Sequence, residues 1–176
     1  SSKIIIRVDA NGSFTPEEVL NKLYELSEFN IHSIEQPIQK GQWKIMNDLC
    51  RLSNIPIALD EELIGIEDNL EKEALLDQIM PDYIVLKPSL LGGFMESNQW
   101  IKLAQDRNIG WWVTSALESN LGLNAISQFV GQYPNLSYQG LGTGSLYLNN
   151  FASRASLIDL KMTYSETDFD ELPFDN

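Results

Sequence analysis

Three carboxylates and one lysine recur at near-equal intervals along the chain. Asp9, Glu35, Asp60 and Lys87 stand 25 to 27 residues apart, each closing a short run of apolar, largely β-branched residues. A lone acid in such a place is ordinarily a solvated loop residue or a helix N-cap. Three acids brought to one point repel one another and call for a cation. An all-oxygen set without His or Cys suits Mg²⁺, with Mn²⁺ the alternative, water and substrate oxygens completing the coordination sphere. Lys87 beside such a dication would have its ammonium form disfavoured, so its pKa is expected to fall, which suits an acid/base or cationic-stabiliser role. Asn11, two residues past Asp9, is placed to orient a ligand or a metal-bound water, and with Gly12 it equally suits a turn of positive φ. Ser115 and Gly140 continue the series at steps of 28 and 25, and Gly140 opens the glycine-rich stretch Gly140-Leu141-Gly142-Thr143-Gly144. Turns of that kind expose backbone N–H groups to anionic ligands. Alone, each of these is a weak signal of a substrate contact. The sole histidine, His32, lies near the start of its apolar run and far from this end, so a His-activated Ser nucleophile is not expected and His32 is read as structural.

The elements that must carry these residues follow from hydrophobic periodicity. Short apolar runs at 4–8, 31–34, 55–59, 83–86, 111–114 and, more weakly, 136–139 predict six buried strands. Between them, segments at 16–29, 43–52, 70–80, 94–107 and 121–132 carry apolar residues at helical spacing. Strands apolar on both faces and alternating with helices indicate a parallel sheet covered by helices. The regular step favours a barrel over an open doubly wound sheet. A complete (β/α)₈ TIM barrel needs eight units and about 250 residues, so the fold class expected is α/β, a partial barrel equivalent to strands 3 to 8.

The composition limits the partners. The 176 residues hold 12 Lys+Arg against 25 Asp+Glu, a net charge of −13, with 43% hydrophobic residues, one Cys and one His. That apolar content excludes overall disorder. The acidic balance without a basic run argues against nucleic acid and against anionic membrane. No apolar stretch approaches the roughly 20 residues of a membrane span, and the first residues lack a signal-peptide layout, so the expected location is the cytoplasm. Cys50, within an amphipathic stretch, reads as a packed thiol. A small-molecule carboxylate is the expected ligand.

Six units fill residues 1–148, the expected barrel part. Residues 149–176 form an acidic tail in which Asp168, Asp170, Glu171 and Asp175 alternate with Phe169 and Phe174. The tail is expected to be loosely ordered, or to dock by its Phe side chains. The chain starts almost directly in a strand, which suggests a C-terminal piece of a longer polypeptide. Open strand edges at 4–8 and near Tyr138 would then pair with the missing N-terminal part or with a second copy. A non-catalytic truncated barrel is the competing class, although a scaffold has no need for clustered acids.

The stretches Arg7-Val8-Asp9-Ala10-Asn11-Gly12, Ile34-Glu35-Gln36-Pro37, Ala58-Leu59-Asp60-Glu61 and Ile84-Val85-Leu86-Lys87-Pro88 together resemble the enolase superfamily, and within it the muconate cycloisomerase-like branch. The resemblance covers residues 3 to about 148. It implies that Asp9, Glu35 and Asp60 are Mg²⁺ ligands at the ends of the third, fourth and fifth barrel strands, and that Lys87 ends the sixth. It also implies a capping domain and two further strands, a second-strand Lys-x-Lys that supplies the base, and Lys87 as the cation that stabilises an enediolate. Ser115 and Gly140 match positions lining the substrate. Within that branch the chain resembles most the metal-dependent dehydratases of menaquinone biosynthesis, carbon–oxygen lyases. Lactonising cycloisomerases and N-acylamino acid racemases share the same chemistry and are the alternatives. A mandelate racemase-like role is disfavoured because no His–Asp pair occupies the later strands, and a dipeptide substrate because Gly140-Leu141-Gly142 replaces an Asp-x-Asp. With no Lys-x-Lys and no cap, the 176-residue chain alone is expected to be inactive.

Overall fold

A computed structural model describes residues 4–142, 146–151, 153–159 and 161–164. The chain divides into two compact units, Ser1–Trp112 and Val113–Asn176. The first is a βα series: β1 Arg7–Asp9, α1 Val19–Ser27, β2 Ser33–Glu35, α2 Trp43–Leu52, β3 Ile57–Leu59, a 3₁₀ turn at Glu61–Leu63, α3 Asn69–Ile79, β4 Tyr83–Leu86, α4 Phe94–Asp106 and β5 Gly110–Val113. The strands form one sheet in the order β1-β2-β3-β4-β5, with the β1–β2, β2–β3 and β3–β4 pairs parallel. Spatial order equal to chain order is what a barrel wall requires. A doubly wound sheet would reverse its order at a switch point, and none occurs among these five strands.

Strand alternation sorts the side chains onto two faces. Ile34, Ile57, Leu59, Ile84 and Leu86 are buried on one. The other carries Ala58, Val85 and Trp112, with Tyr83 packed against them. The Arg7 guanidinium lies 4.1 Å from the centroid of the Trp112 ring on that face, and His32 stacks on Tyr83 with centroids 5.1 Å apart. His32 is thus a packing residue, as its sequence position suggested. Helices shield the apolar face. On α4, Ser97, Trp100, Ile101 and Ala104 are buried at spacings of three and four. The α3 helix starts at an Asp68 N-cap whose Oδ1 accepts from the Leu70 and Glu71 N–H groups at 2.9 and 3.1 Å. It ends at Met80 in the left-handed conformation, φ 53°. Cys50 on α2 is a partly buried thiol pushed up to about 12, by burial first and then by the charge of Asp82.

The second unit departs from the sequence-based expectation. Its helix, α5 Asn120–Gly131, is present, but the strand expected at 136–139 is reduced to one parallel bridge, Thr114 to Gly140. Gly140 N–H donates to Val113 O at 2.8 Å and Ser115 N–H to Gly140 O at 3.2 Å. Pairing does not extend further back because Asn135 is in the left-handed region, φ 58°, and because the Gln139 side-chain Oε1 takes the Val113 N–H at 2.7 Å. Residues 149–176 contain an antiparallel hairpin, β6 Ala155–Ile158 with β7 Lys161–Tyr164, where no element was expected. Asp168, Phe169, Asp170, Glu171, Phe174 and Asp175 lie outside the described residues, as do Thr143 and Gly144.

Candidate active site

Register explains how strand ends 25 to 27 residues apart meet. Asp9 pairs with Glu35. Glu35 pairs with Ala58, so Asp60 lies two residues further along its strand. Leu59 pairs with Ile84, so Lys87 lies two residues beyond the level of Asp60. The strand-end residues are therefore staggered: Asp9 and Glu35 are level, and Asp60 and then Lys87 each lie two residues further on. Tilted barrel strands need such a shear, and because each offset is even, every side chain stays on the same face.

Lys87 occupies the centre. Its Nζ is hydrogen-bonded to Asp60 Oδ2 and lies 3.8 Å from Glu35 Oε1. Asp60 is buried, 1% exposed, while Glu35 and Lys87 are 14% and 18% exposed. Asp9 turns toward its own loop, where Oδ1 accepts the Asn11 N–H at 2.9 Å. Three carboxylates do not converge as a ready cage: among the described residues no group of three His, Cys, Asp or Glu side chains stands close enough to hold a metal ion.

The electrostatics show what the acids lack. Burial, then the charges of Asp9 and Asp60, push the Glu35 carboxyl up to about 8, against the opposing pull of Lys87. The lowered pKa expected of Lys87 belongs to a lysine beside a dication; among the chain's own groups the balance runs the other way. Burial does disfavour the ammonium, but the hydrogen bond and charge of Asp60, with Glu35 and Glu61, outweigh it, and the net direction is upward. Donor chemistry nonetheless fits a divalent cation: three oxygen ligands from adjacent strand ends, with Glu35 destabilised as an anion by the two acids that would share the ion.

A stability prediction follows for metal-free protein. A carboxyl whose pKa rises from 4.5 to about 8 on folding keeps a proton that the unfolded chain has lost. Its stabilising effect is full below pH 4.5 and is lost as pH rises toward 8. In excess chelator the urea midpoint should fall between pH 5 and 8, and Glu35→Gln should flatten that fall. An unchanged slope in Glu35→Gln contradicts this electrostatic reading.

The remaining expected contacts divide between the units. Asn11, in the left-handed region at φ 46°, meets Asp9 through its backbone. It lines a cavity of about 320 Å³ with Gly12, Gln36, Gln39, Lys40, Glu61 and Ile64. Ser115 and Gly140 lie in the second unit. Ser115 Oγ accepts the Leu117 N–H at 3.0 Å. Gly140 has a packing reason to be glycine, since a Cβ there would stand 2.5 Å from Thr114 Oγ1. A larger cavity of about 730 Å³ lies at the other end of the strands, beside Asp82, Tyr83 and Gly110, away from the acids.

Two groups escaped the sequence reading. Glu61, directly after Asp60, has a buried Oε2 with no hydrogen-bond partner among the described residues. Burial, together with the charges of Asp60 and Asp9, raises its pKa. Gln36 and Glu62 are buried, at 1% and 4% exposure, and are bonded to each other. The Asp60-Glu61-Glu62 run and the Glu35-Gln36 pair were the available signals, but partners 26 residues apart cannot be read from local pattern.

Parallel strands that follow one another in order, with acids and a lysine at their C-terminal ends, define an α/β chain of the barrel type. Residues 2–165 match the family described as enolase C-terminal domain-like, and the chain belongs to that family, within the enolase superfamily. It is 56% identical over 152 residues to an o-succinylbenzoate synthase from Desulfotalea psychrophila, which covers 86% of this chain and 41% of the relative. It is 29% identical over 131 residues to an L-amino acid-D/L-Glu epimerase from Francisella philomiragia, covering 73% of this chain and 36% of that one. The crystal structure of MenC from Desulfotalea psychrophila superposes with a TM-score of 0.87 at 53% identity, over 92% of this chain and 45% of that one. A muconate cycloisomerase structure from Pseudomonas fluorescens, at 24% identity and a TM-score of 0.81 over 92% of this chain and 44% of that one, shares the fold. The chain thus spans less than half the length of these relatives.

Proposed function

We propose that this chain carries the strand-end acids and the lysine of a Mg²⁺-dependent carbon–oxygen lyase of the o-succinylbenzoate synthase type, acting in menaquinone biosynthesis in the cytoplasm. One juxtaposition carries the reading: Lys87 Nζ held against Asp60 and Glu35 at the ends of adjacent parallel strands. The 56% identity to a protein of that name supports the choice of reaction.

The reaction is loss of water from 2-succinyl-6-hydroxy-2,4-cyclohexadiene-1-carboxylate. Removing the proton next to the substrate carboxylate builds negative charge on that carboxylate. Asp9, Glu35 and Asp60 would hold the divalent ion, which as a Lewis acid supplies several kcal/mol of charge stabilisation. Lys87 presents an ammonium to the same region, positioned by Asp60 before reaction begins, so little reorganisation is needed as charge develops. Asn11, Ser115 and Gly140 are the proposed substrate contacts. The proton acceptor is proposed to lie outside these 176 residues, which would leave the isolated chain inactive.

The test is product formation by the full-length protein. The expected result is aromatisation of the cyclohexadiene carboxylate, followed by ultraviolet absorbance, at a rate far above N-acylamino acid racemisation or lactonisation of a muconate. Faster turnover in either of those reactions overturns the substrate assignment, and no turnover in any of them supports the non-catalytic module.

A further inference from the structure

Gln36 is the point where the loops bearing all three acids are joined. Its backbone N–H donates to Ala58 O at 2.9 Å, and its carbonyl accepts the Gly12 N–H at 2.7 Å. Its side-chain Oε1 accepts from the N–H of Asp60 at 3.2 Å and of Glu62 at 3.3 Å. Its Nε2 donates to Ile38 O at 3.0 Å and to Glu62 Oε2 at 3.2 Å. Glu62 then accepts the Gly41 N–H through Oε1 at 2.7 Å. The Gln36 backbone thus holds the loop after Asp9, while its buried side-chain amide ties its own loop after Glu35 to Glu62 and to the backbone of Asp60.

The arrangement is costly in two ways that a packing residue does not require. Gln36 takes a left-handed backbone, φ 39°, a strained conformation for a residue with a Cβ. Both Gln36 and Glu62 are almost wholly buried, and buried polar groups are tolerated only when hydrogen-bonded. The loops are also packed tightly, since a Cβ at Gly12 would stand 3.1 Å from Gln39 Cα. A bonded polar hub fixes distances between loops more narrowly than apolar contact does.

We infer that Gln36, locked by Glu62, is the positioning residue that sets the spacing of the Asp9, Glu35 and Asp60 loops, and so the affinity of the site for a divalent cation. The inference rests on the metal-site reading proposed above. Gln36 is a positioning residue, not a catalytic one, because its side chain reaches the backbone of Asp60 and not the reacting groups.

The experiment is Mn²⁺ binding to the full-length protein by electron paramagnetic resonance, with circular dichroism and thermal melting as fold controls. Gln36→Leu is expected to weaken Mn²⁺ binding about 10- to 100-fold, the usual cost of losing a group that orients metal ligands, in a protein that still folds. Gln36→Glu alone sets two carboxylates side by side and should weaken binding too. Adding Glu62→Gln restores a donor–acceptor pair and should recover most of the loss. Mn²⁺ affinity of Gln36→Leu within twofold of wild type overturns the inference. If Gln36→Leu does not fold, the paired variants decide: recovery by Glu62→Gln supports the hub, and a double variant no better than Gln36→Glu overturns it. Failure of the wild-type protein to bind Mn²⁺ at all would instead refute the metal site, a separate outcome.

Discussion

Lys87→Met in the full-length protein should lower kcat for dehydration about 10²- to 10³-fold, the range found when one preorganised charge-stabilising donor is removed. The Met side chain keeps most of the lysine's apolar length, so the strand end stays packed while the ammonium is lost. Lys87 is set against Asp60 and Glu35 before any substrate arrives, which is what makes its loss a transition-state effect. The expected signature is a fall in kcat and kcat/KM together. Lys87→Arg should recover little, because the planar guanidinium cannot occupy a position shaped for a compact ammonium. A fall in kcat of less than threefold in Lys87→Met would remove Lys87 from the chemistry.

The second large effect is on stability and lies away from the site. Lys72 on α3 is wholly buried, 0% exposed, and its Nζ is bonded to Glu96 of α4, 22% exposed, and to Gln99 Oε1 at 3.0 Å. Its Nζ also stands 5.7 Å from the Trp100 ring centroid. Removing one partner of a buried pair leaves an uncompensated charge, at a cost of about 3–5 kcal/mol. Glu96→Ala should therefore destabilise by about that much, read as a lower urea midpoint. Lys72→Met with Glu96→Leu should return most of it, because well-packed apolar residues replace such pairs at little cost. A double variant as unstable as Glu96→Ala would show that the pair contributes more than mutual charge compensation.

The places where sequence reasoning succeeded and failed have a common physical cause. Asp9, Glu35, Asp60 and Lys87 were legible because each ends a β-branched run, and strand ends with a regular βα step must fall on one edge of a sheet. The relatives bear out the partial barrel and the superfamily. The two-residue stagger between β2 and β3 was not legible, since register depends on strand tilt and not on composition. Lys87 stands beside Asp60 and Glu35, the neighbours its place at the next strand end implied. The weak run at 136–139 failed as a strand where Gln139 used its side chain in place of backbone pairing. Lys72, within a polar helix sequence, gave no sign of burial because its partner Glu96 is 24 residues away. Gln36 and Glu62 were invisible for the same reason.

The proposed chemistry has the strand-end acids work through a divalent ion in an elimination of water. It is tested most directly by the dehydration rate of the full-length protein after metal removal by chelator, followed as Mg²⁺ is added back. The account predicts loss of activity on stripping and a saturable return with Mg²⁺, abolished in Asp60→Asn. An undiminished rate in excess chelator would contradict it.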